Sequence, residues 1–196
     1  MVAEAPTAPF ANVGPLALRL PVPQPVLIAY HEATYPIASA LQPLGRCTKN
    51  DNPFKGTCPA RSTGPRYLIQ YPRTRPTAPT SAVDVVVDRG EWIRSPVDGV
   101  VLRVARYDLY GRWPDIRIEI APSGSPRLRV VLLHVTNVQV HPGDRLLAGR
   151  TQIAYARLFP FRPNVDGYYE GGPFPHVHVE VSAGDPVAAA SAGGLA

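Results

Sequence analysis

The chain has 196 residues, 45% of them apolar, enough for one packed domain with an extended arm. Net charge is +5, and arginine supplies nearly all the positive charge, since Lys49 and Lys55 are the only lysines. No run of five basic residues and no RNA-binding aromatic motif occurs, which argues against a nucleic-acid partner, and no stretch reaches the ~20 apolar residues of a membrane span.

Residues 1–25 read as a Pro-rich arm, extended rather than folded. The first nine residues lack the basic and apolar segments of a signal peptide and resemble a linker left after removal of a leader. Val26 to Tyr30 is a short apolar run after Pro25 and predicts a strand, followed by His31-Glu32. From 26 to 79 the chain reads as an irregular extension, because prolines and glycines recur too often for a long helix. Tyr67 to Tyr71 is a possible strand within it. Cys47 and Cys58 lie close together in a polar, turn-rich segment without metal-type C-x2-C spacing, which predicts a local disulfide and an oxidising compartment.

From Ser81 the texture changes to short strands every 8–12 residues, separated by Gly/Pro turns: Val83 to Val87, Val97 to Val101, Arg117 to Ile120, Leu128 to His134, Val138 to Val140, Leu146 to Gly149 and Gln152 to Ala156. Such spacing predicts an all-β antiparallel sandwich or barrel over residues 80–187, with a loose Ala/Gly/Ser tail over 188–196. No segment has helical periodicity. The closing strand is the most informative: Pro175-His176-Val177-His178-Val179-Glu180-Val181 alternates strictly. On a strand that alternation puts His176, His178 and Glu180 on one face and the three valines on the other. Two imidazoles so placed stand roughly 6–7 Å apart along the strand. That spacing lets one bind a metal while the other reaches a water or substrate beside it.

Three ordered pieces carry a resemblance. Val83-Asp84-Val85 leads to Gly90-Glu91-Trp92-Ile93-Arg94-Ser95-Pro96-Val97-Asp98-Gly99-Val100-Val101. Leu133-His134-Val135 leads to Val140-His141-Pro142-Gly143-Asp144 and Ala148-Gly149. The His176-Val177-His178 strand closes the set. Together they resemble the lysostaphin/LytM-type zinc endopeptidases, over about half of the chain. The resemblance implies a barrel-sandwich hybrid of that type, one zinc, and peptidoglycan or wall peptides as partner. It further implies a secreted or wall-associated location, Asp84 and His178 as zinc ligands, and His134 and His176 as the catalytic pair. Tyr107, Tyr110 and Trp113, in a segment that borders the family's substrate groove, and Tyr168, in the long loop before the closing strand, are candidate substrate contacts.

One ligand does not carry over. The family's first zinc histidine stands four residues before the aspartate, and here that position is Thr80. Catalytic zinc ordinarily keeps three protein ligands plus water. Three readings fit the gap: His31 enters as the third ligand; zinc binds weakly through Asp84, His178 and a neighbour; or the fold keeps the groove without the chemistry. Thr80 leads to the expectation of a protein that binds wall peptide or regulates another wall hydrolase, with zinc and endopeptidase activity weak or absent. The alternative is an active zinc endopeptidase in which His31 or another residue replaces the missing ligand. A lipoyl or biotin carrier shares the turn texture but needs a hairpin lysine, and no lysine follows Lys55.

Overall fold

The computed structural model describes residues 5–54, 58–59 and 63–184, and the tail expected over 188–196 lies outside them. Fifteen strands follow in order: β1 (Pro9–Val13), β2 (Leu16–Arg19), β3 (Leu27–His31), β4 (Gln42–Pro43), β5 (Arg46–Asn50), β6 (Arg66–Ile69), β7 (Ala82–Val86), β8 (Trp92–Arg94), β9 (Gly99–Leu109), β10 (Trp113–Pro122), β11 (Leu128–Leu133), β12 (Val135–Thr136), β13 (Arg145–Leu146), β14 (Gln152–Ala156) and β15 (His176–Ala183). The only helical turn among the described residues is a 3-10 segment, Asn164–Tyr168. No helix among them is long and apolar enough to cross a membrane.

Nine strands form one large sheet in the order β13-β9-β10-β11-β15-β7-β3-β6-β5, and two three-stranded sheets, β2-β1-β4 and β12-β14-β8, pack beside it. The all-β expectation is met. The pairing is antiparallel from β13 to β3 and becomes parallel at β3–β6 and β6–β5, so one edge of the sheet is mixed. That edge is the segment read as an irregular extension. Its strands in the large sheet are only four or five residues long, and no proline falls within β3, β5 or β6. The arm also differs from its reading. Phe10, Leu16 and Leu18 are buried in the main core, and Tyr30 donates a hydrogen bond from its hydroxyl to the Phe10 carbonyl at 3.1 Å. Apolar side chains on β1 and β2 therefore hold the Pro-rich stretch down as a hairpin. Cys47 and Cys58 are bonded, with Cα atoms 5.4 Å apart, and the bridge ties the β5 edge.

The main core lies on one face of the large sheet. Ile28 and Tyr30 of β3, Val83 and Val85 of β7, Ile118 and Ile120 of β10, Val130 and Leu132 of β11, and Val177, Val179 and Val181 of β15 all enter it. Strand parity then sends Ala29 and His31, Asp84, Asp115 and Arg117, and His176, His178 and Glu180 to the opposite face. A second, smaller cluster of Ala29, Leu68, Val86 and Val165 covers part of that face, with Tyr168, Tyr169 and Phe174 packed against it from the loop before β15. What remains between this cluster and the β9–β10 hairpin is a cavity of about 560 Å³.

Candidate metal centre

Three neighbouring strands supply the floor of the cavity. β7 pairs with β15 so that Asp84 stands opposite His178, and it pairs with β3 so that Asp84 stands opposite Ala29. His31, two residues beyond Ala29, is level with Ala82 and shares the parity of Asp84. The expected strand Val26 to Tyr30 is shifted by one residue, and this shift brings His31 inside β3 and fixes its direction.

The result is a tight group. His31 Nε2 and His178 Nδ1 each lie 3.0 Å from Asp84 Oδ1, and the three ligand atoms all fall within 4.8 Å of one another. Tetrahedral zinc with bonds of about 2.0–2.1 Å has ligand–ligand edges of roughly 3.3 Å. Two edges of the group are already close to that value.

Each donor is also held from behind. His31 Nδ1 donates to the Glu32 carbonyl at 2.8 Å, which fixes the tautomer with a bare Nε2 when the ring is neutral. That Nε2 faces the Asp84 carboxylate at ion-pair distance without a hydrogen bond. His178 Nε2 is 3.5 Å from Glu180 Oε2, and Asp84 Oδ2 accepts from Gln70 Nε2 at 3.5 Å and Arg73 Nη2 at 3.3 Å. Outer partners on every ligand are the usual support of a metal site.

The electrostatics agree. Burial opposes charge on Asp84, but the neighbouring His31 and His176 rings and the hydrogen bond from His178 hold its carboxyl well below the usual range. Burial lowers His31 against the pull of Asp84, so its ring favours the neutral form that leaves Nε2 a lone pair. His178 is the exception: burial works against its charge, yet hydrogen bonds to Asp84 and Glu180 push it up to about 9. A lone pair and a carboxylate oxygen 3.0 Å apart are facing groups that a cation between them would satisfy. Two imidazole nitrogens and one carboxylate oxygen are a donor set suited to zinc.

Beside this group stand His134 and His176, their rings 5.3 Å apart. His134, at the end of β11 with φ 66°, donates from Nδ1 to Asp115 Oδ2 at 2.6 Å. Asp115 also accepts from the Tyr107 hydroxyl at 2.8 Å and from the Ile116 backbone N–H at 2.8 Å, and it is fully buried as a side chain. Burial opposes its charge, but the His134 and Tyr107 hydrogen bonds lower its pKa. Burial likewise lowers His134 and pulls His176 down to about 3, so both rings are neutral near pH 7. His176 Nδ1 is buried without a partner, and its Nε2 lies 3.9 Å from Asp84 Oδ1. Phe159 packs on both rings, at 4.8 Å from His134 and 5.1 Å from His176.

Asp84, His134, His176, His178 and His31 thus meet in one cavity, although the chain separates the first from the last of them by 147 positions, 178 − 31. Thr80 does not reach it: its hydroxyl donates to the Leu41 carbonyl at 2.8 Å, and its own carbonyl accepts from the Leu41 N–H. Tyr107 and Tyr110 line the cavity, Tyr107 with its hydroxyl committed to Asp115. Trp113 and Tyr168 do not line it. Trp113 stacks on Phe161 at 5.8 Å, while Tyr168 packs in the smaller apolar cluster and accepts the Tyr71 N–H. Sequence reasoning missed Asp115. Its signal was the alternation Asp115-Ile116-Arg117-Ile118 on a strand whose Arg117 pairs with Leu133, next to His134.

No protein-family model matches the sequence, and no curated protein matches it. The solved structures similar to part of it include the following two. The solution structure of lysostaphin matches 58% of this chain and 44% of its own, with 20% identity and a TM-score of 0.38. Pseudoalterin, an M23 metalloprotease from the deep sea, matches 54% of this chain and 57% of its own, with 22% identity and a TM-score of 0.35. The chain therefore spans about half the length of these two structures. Overlaps of that extent leave the chemistry to the geometry of the site itself.

Proposed function

We propose that this protein is a zinc-dependent peptide hydrolase in which His31 takes the place of the ligand that Thr80 lacks. The observation that carries the reading is the convergence of His31 Nε2, Asp84 Oδ1 and His178 Nδ1, each secured by an outer partner, beside two neutral imidazoles. His31, Asp84 and His178 would hold the ion, which supplies Lewis-acid polarisation of a carbonyl and a water made acidic near neutral pH. The chain's own groups do the rest. His134, with Nδ1–H given to Asp115, presents Nε2 as the proton acceptor, and the Asp115 carboxylate steadies the imidazolium that forms. His176 is neutral and stands where it can hydrogen-bond the oxyanion of the attacked carbonyl. Phe159 keeps bulk water from both rings.

The resemblance of residues 80–181 to wall endopeptidases makes peptidoglycan cross-link peptides the substrates to test, and the Cys47–Cys58 bridge suits a secreted or wall-associated protein. The test is zinc analysis of protein purified without a His-tag, followed by hydrolysis of cross-linked wall peptides with and without chelator. One zinc per chain and chelator-sensitive cleavage support the reading; absence of stoichiometric zinc overturns it. A second reading, a wall-peptide-binding or regulatory module, is favoured by the engagement of Thr80 with Leu41, which leaves the usual first-ligand position unable to serve. In that case peptide binding persists without zinc and without turnover.

A further inference from the structure

Next to the metal-ligating group the cavity wall is formed by a short turn, Arg73-Thr74-Arg75, whose two arginines both line the cavity. The turn is built rather than loose. Glu32, buried beside His31, accepts the backbone N–H groups of both Arg73 and Arg75 on its Oε2, each at 2.9 Å. Thr74 between them has φ 58°, a left-handed conformation that a non-glycine residue keeps only where its surroundings impose it. The Glu32 carbonyl then accepts from Arg75 Nη1 at 2.8 Å and from His31 Nδ1 at 2.8 Å, so one oxygen fixes the arginine and the candidate ligand together.

The two guanidinium groups differ in what they face. Arg73 is spent on Asp84 Oδ2 at 3.3 Å and Gln70 Oε1 at 2.8 Å. Arg75 forms no ion pair among the described residues, although it is half-buried in the cavity wall. Burial and the neighbouring Arg73 cation both lower its pKa, the mark of a charge whose compensation is incomplete. A planar guanidinium held at its Nη1, with further N–H groups in a fixed fork, matches a carboxylate.

We propose that Arg75 is a carboxylate-recognition point of this cavity, and that the peptide bound there carries a free carboxylate, at its C-terminus or on an acidic side chain, close to the bond presented to the metal corner. Arg73 acts behind it as a positioning residue that holds Asp84 and adds positive field. The inference rests on the hydrolase reading only in calling that peptide a substrate; the binding itself requires no metal.

The experiment therefore uses the metal-free full chain, which also removes direct coordination of the carboxylate by zinc. Three probes are titrated and followed by calorimetry or amide NMR shifts: N-acetyl-alanine, with a terminal carboxylate; N-acetyl-glutamate α-amide, with a side-chain carboxylate only; and N-acetyl-alaninamide, with none. We expect at least one acid to bind and the amide to bind at least tenfold more weakly. Arg75→Ala should lose that preference, Arg75→Lys should regain only part of it, and all variants should unfold at the wild-type temperature within a few degrees. Which acid binds better identifies the source of the carboxylate. Equal binding of acid and amide, no binding of either acid to the wild type, or undiminished acid binding in folded Arg75→Ala overturns the proposal. Zinc content measured on the same preparations reports separately on the hydrolase reading.

Discussion

At one end of the cavity, where β3, β7 and β15 run side by side, three side chains turn ligand atoms toward one another and His31 Nε2 meets a carboxylate with no hydrogen bond between them. At the other end, where β10 meets β11, His134 and Tyr107 both donate to Asp115, and the backbone at Ile116 adds a third donor. In the first corner His31 Nε2 has no hydrogen-bond partner; in the second the Asp115 carboxylate is matched by three protein donors. A buried polar group left unmatched is costly, so a fold keeps one where a ligand supplies the match. The same contrast appears within one strand. His178 is pushed up to about 9 by two carboxylates, and His176, two residues away, falls to about 3 by burial.

The two corners should separate under mutation. His134→Ala and His176→Ala are expected to keep one zinc per chain while lowering kcat by about 10²–10⁴-fold, the usual range for a lost acid–base or hydrogen-bonding group. Metal analysis and turnover on the same samples check this, and zinc lost together with activity would join the corners. Reducing the Cys47–Cys58 bridge probes whether the metal corner depends on the sheet edge. Closing an 11-residue separation is worth about 3 kcal/mol, read as a shifted denaturant midpoint, and zinc affinity should change little because β3 is held by β7 as well as β6. Asp115→Asn tests the Asp115 corner: kcat should fall by about 10²-fold, the low end of the range for a lost acid–base group, with zinc content unchanged and turnover displaced on the pH axis. Thr80→Ala should be the mildest, costing about 1 kcal/mol for the lost bond to Leu41 and leaving zinc binding intact.

Much of the second half was legible because strand parity is rigid. The valines of Val177-Val179-Val181 and the triad His176-His178-Glu180 fall on opposite faces as alternation requires, and both faces are buried. The order of Asp84, His134, His176 and His178 was likewise visible in the motifs they sit in. The first half was harder. Prolines between short apolar runs resemble a disordered arm, and nothing local tells that Phe10 and Leu18 enter the core or that β6 pairs in parallel with β3. His31 was legible as a histidine but not as a neighbour of Asp84, since the β3–β7 register is set by long-range packing. Arg75 was hidden because its turn is defined by Glu32, more than forty residues earlier.

In the proposed site, β3 supplies the third ligand through His31. Zinc titration of metal-free, tag-free wild type and His31→Ala, by competition with a chelating dye, tests it most directly. One tight zinc per wild-type chain is expected and, in folded His31→Ala, an affinity loss beyond the ~10–100-fold that follows removal of an outer partner. Wild-type zinc affinity in His31→Ala would contradict it.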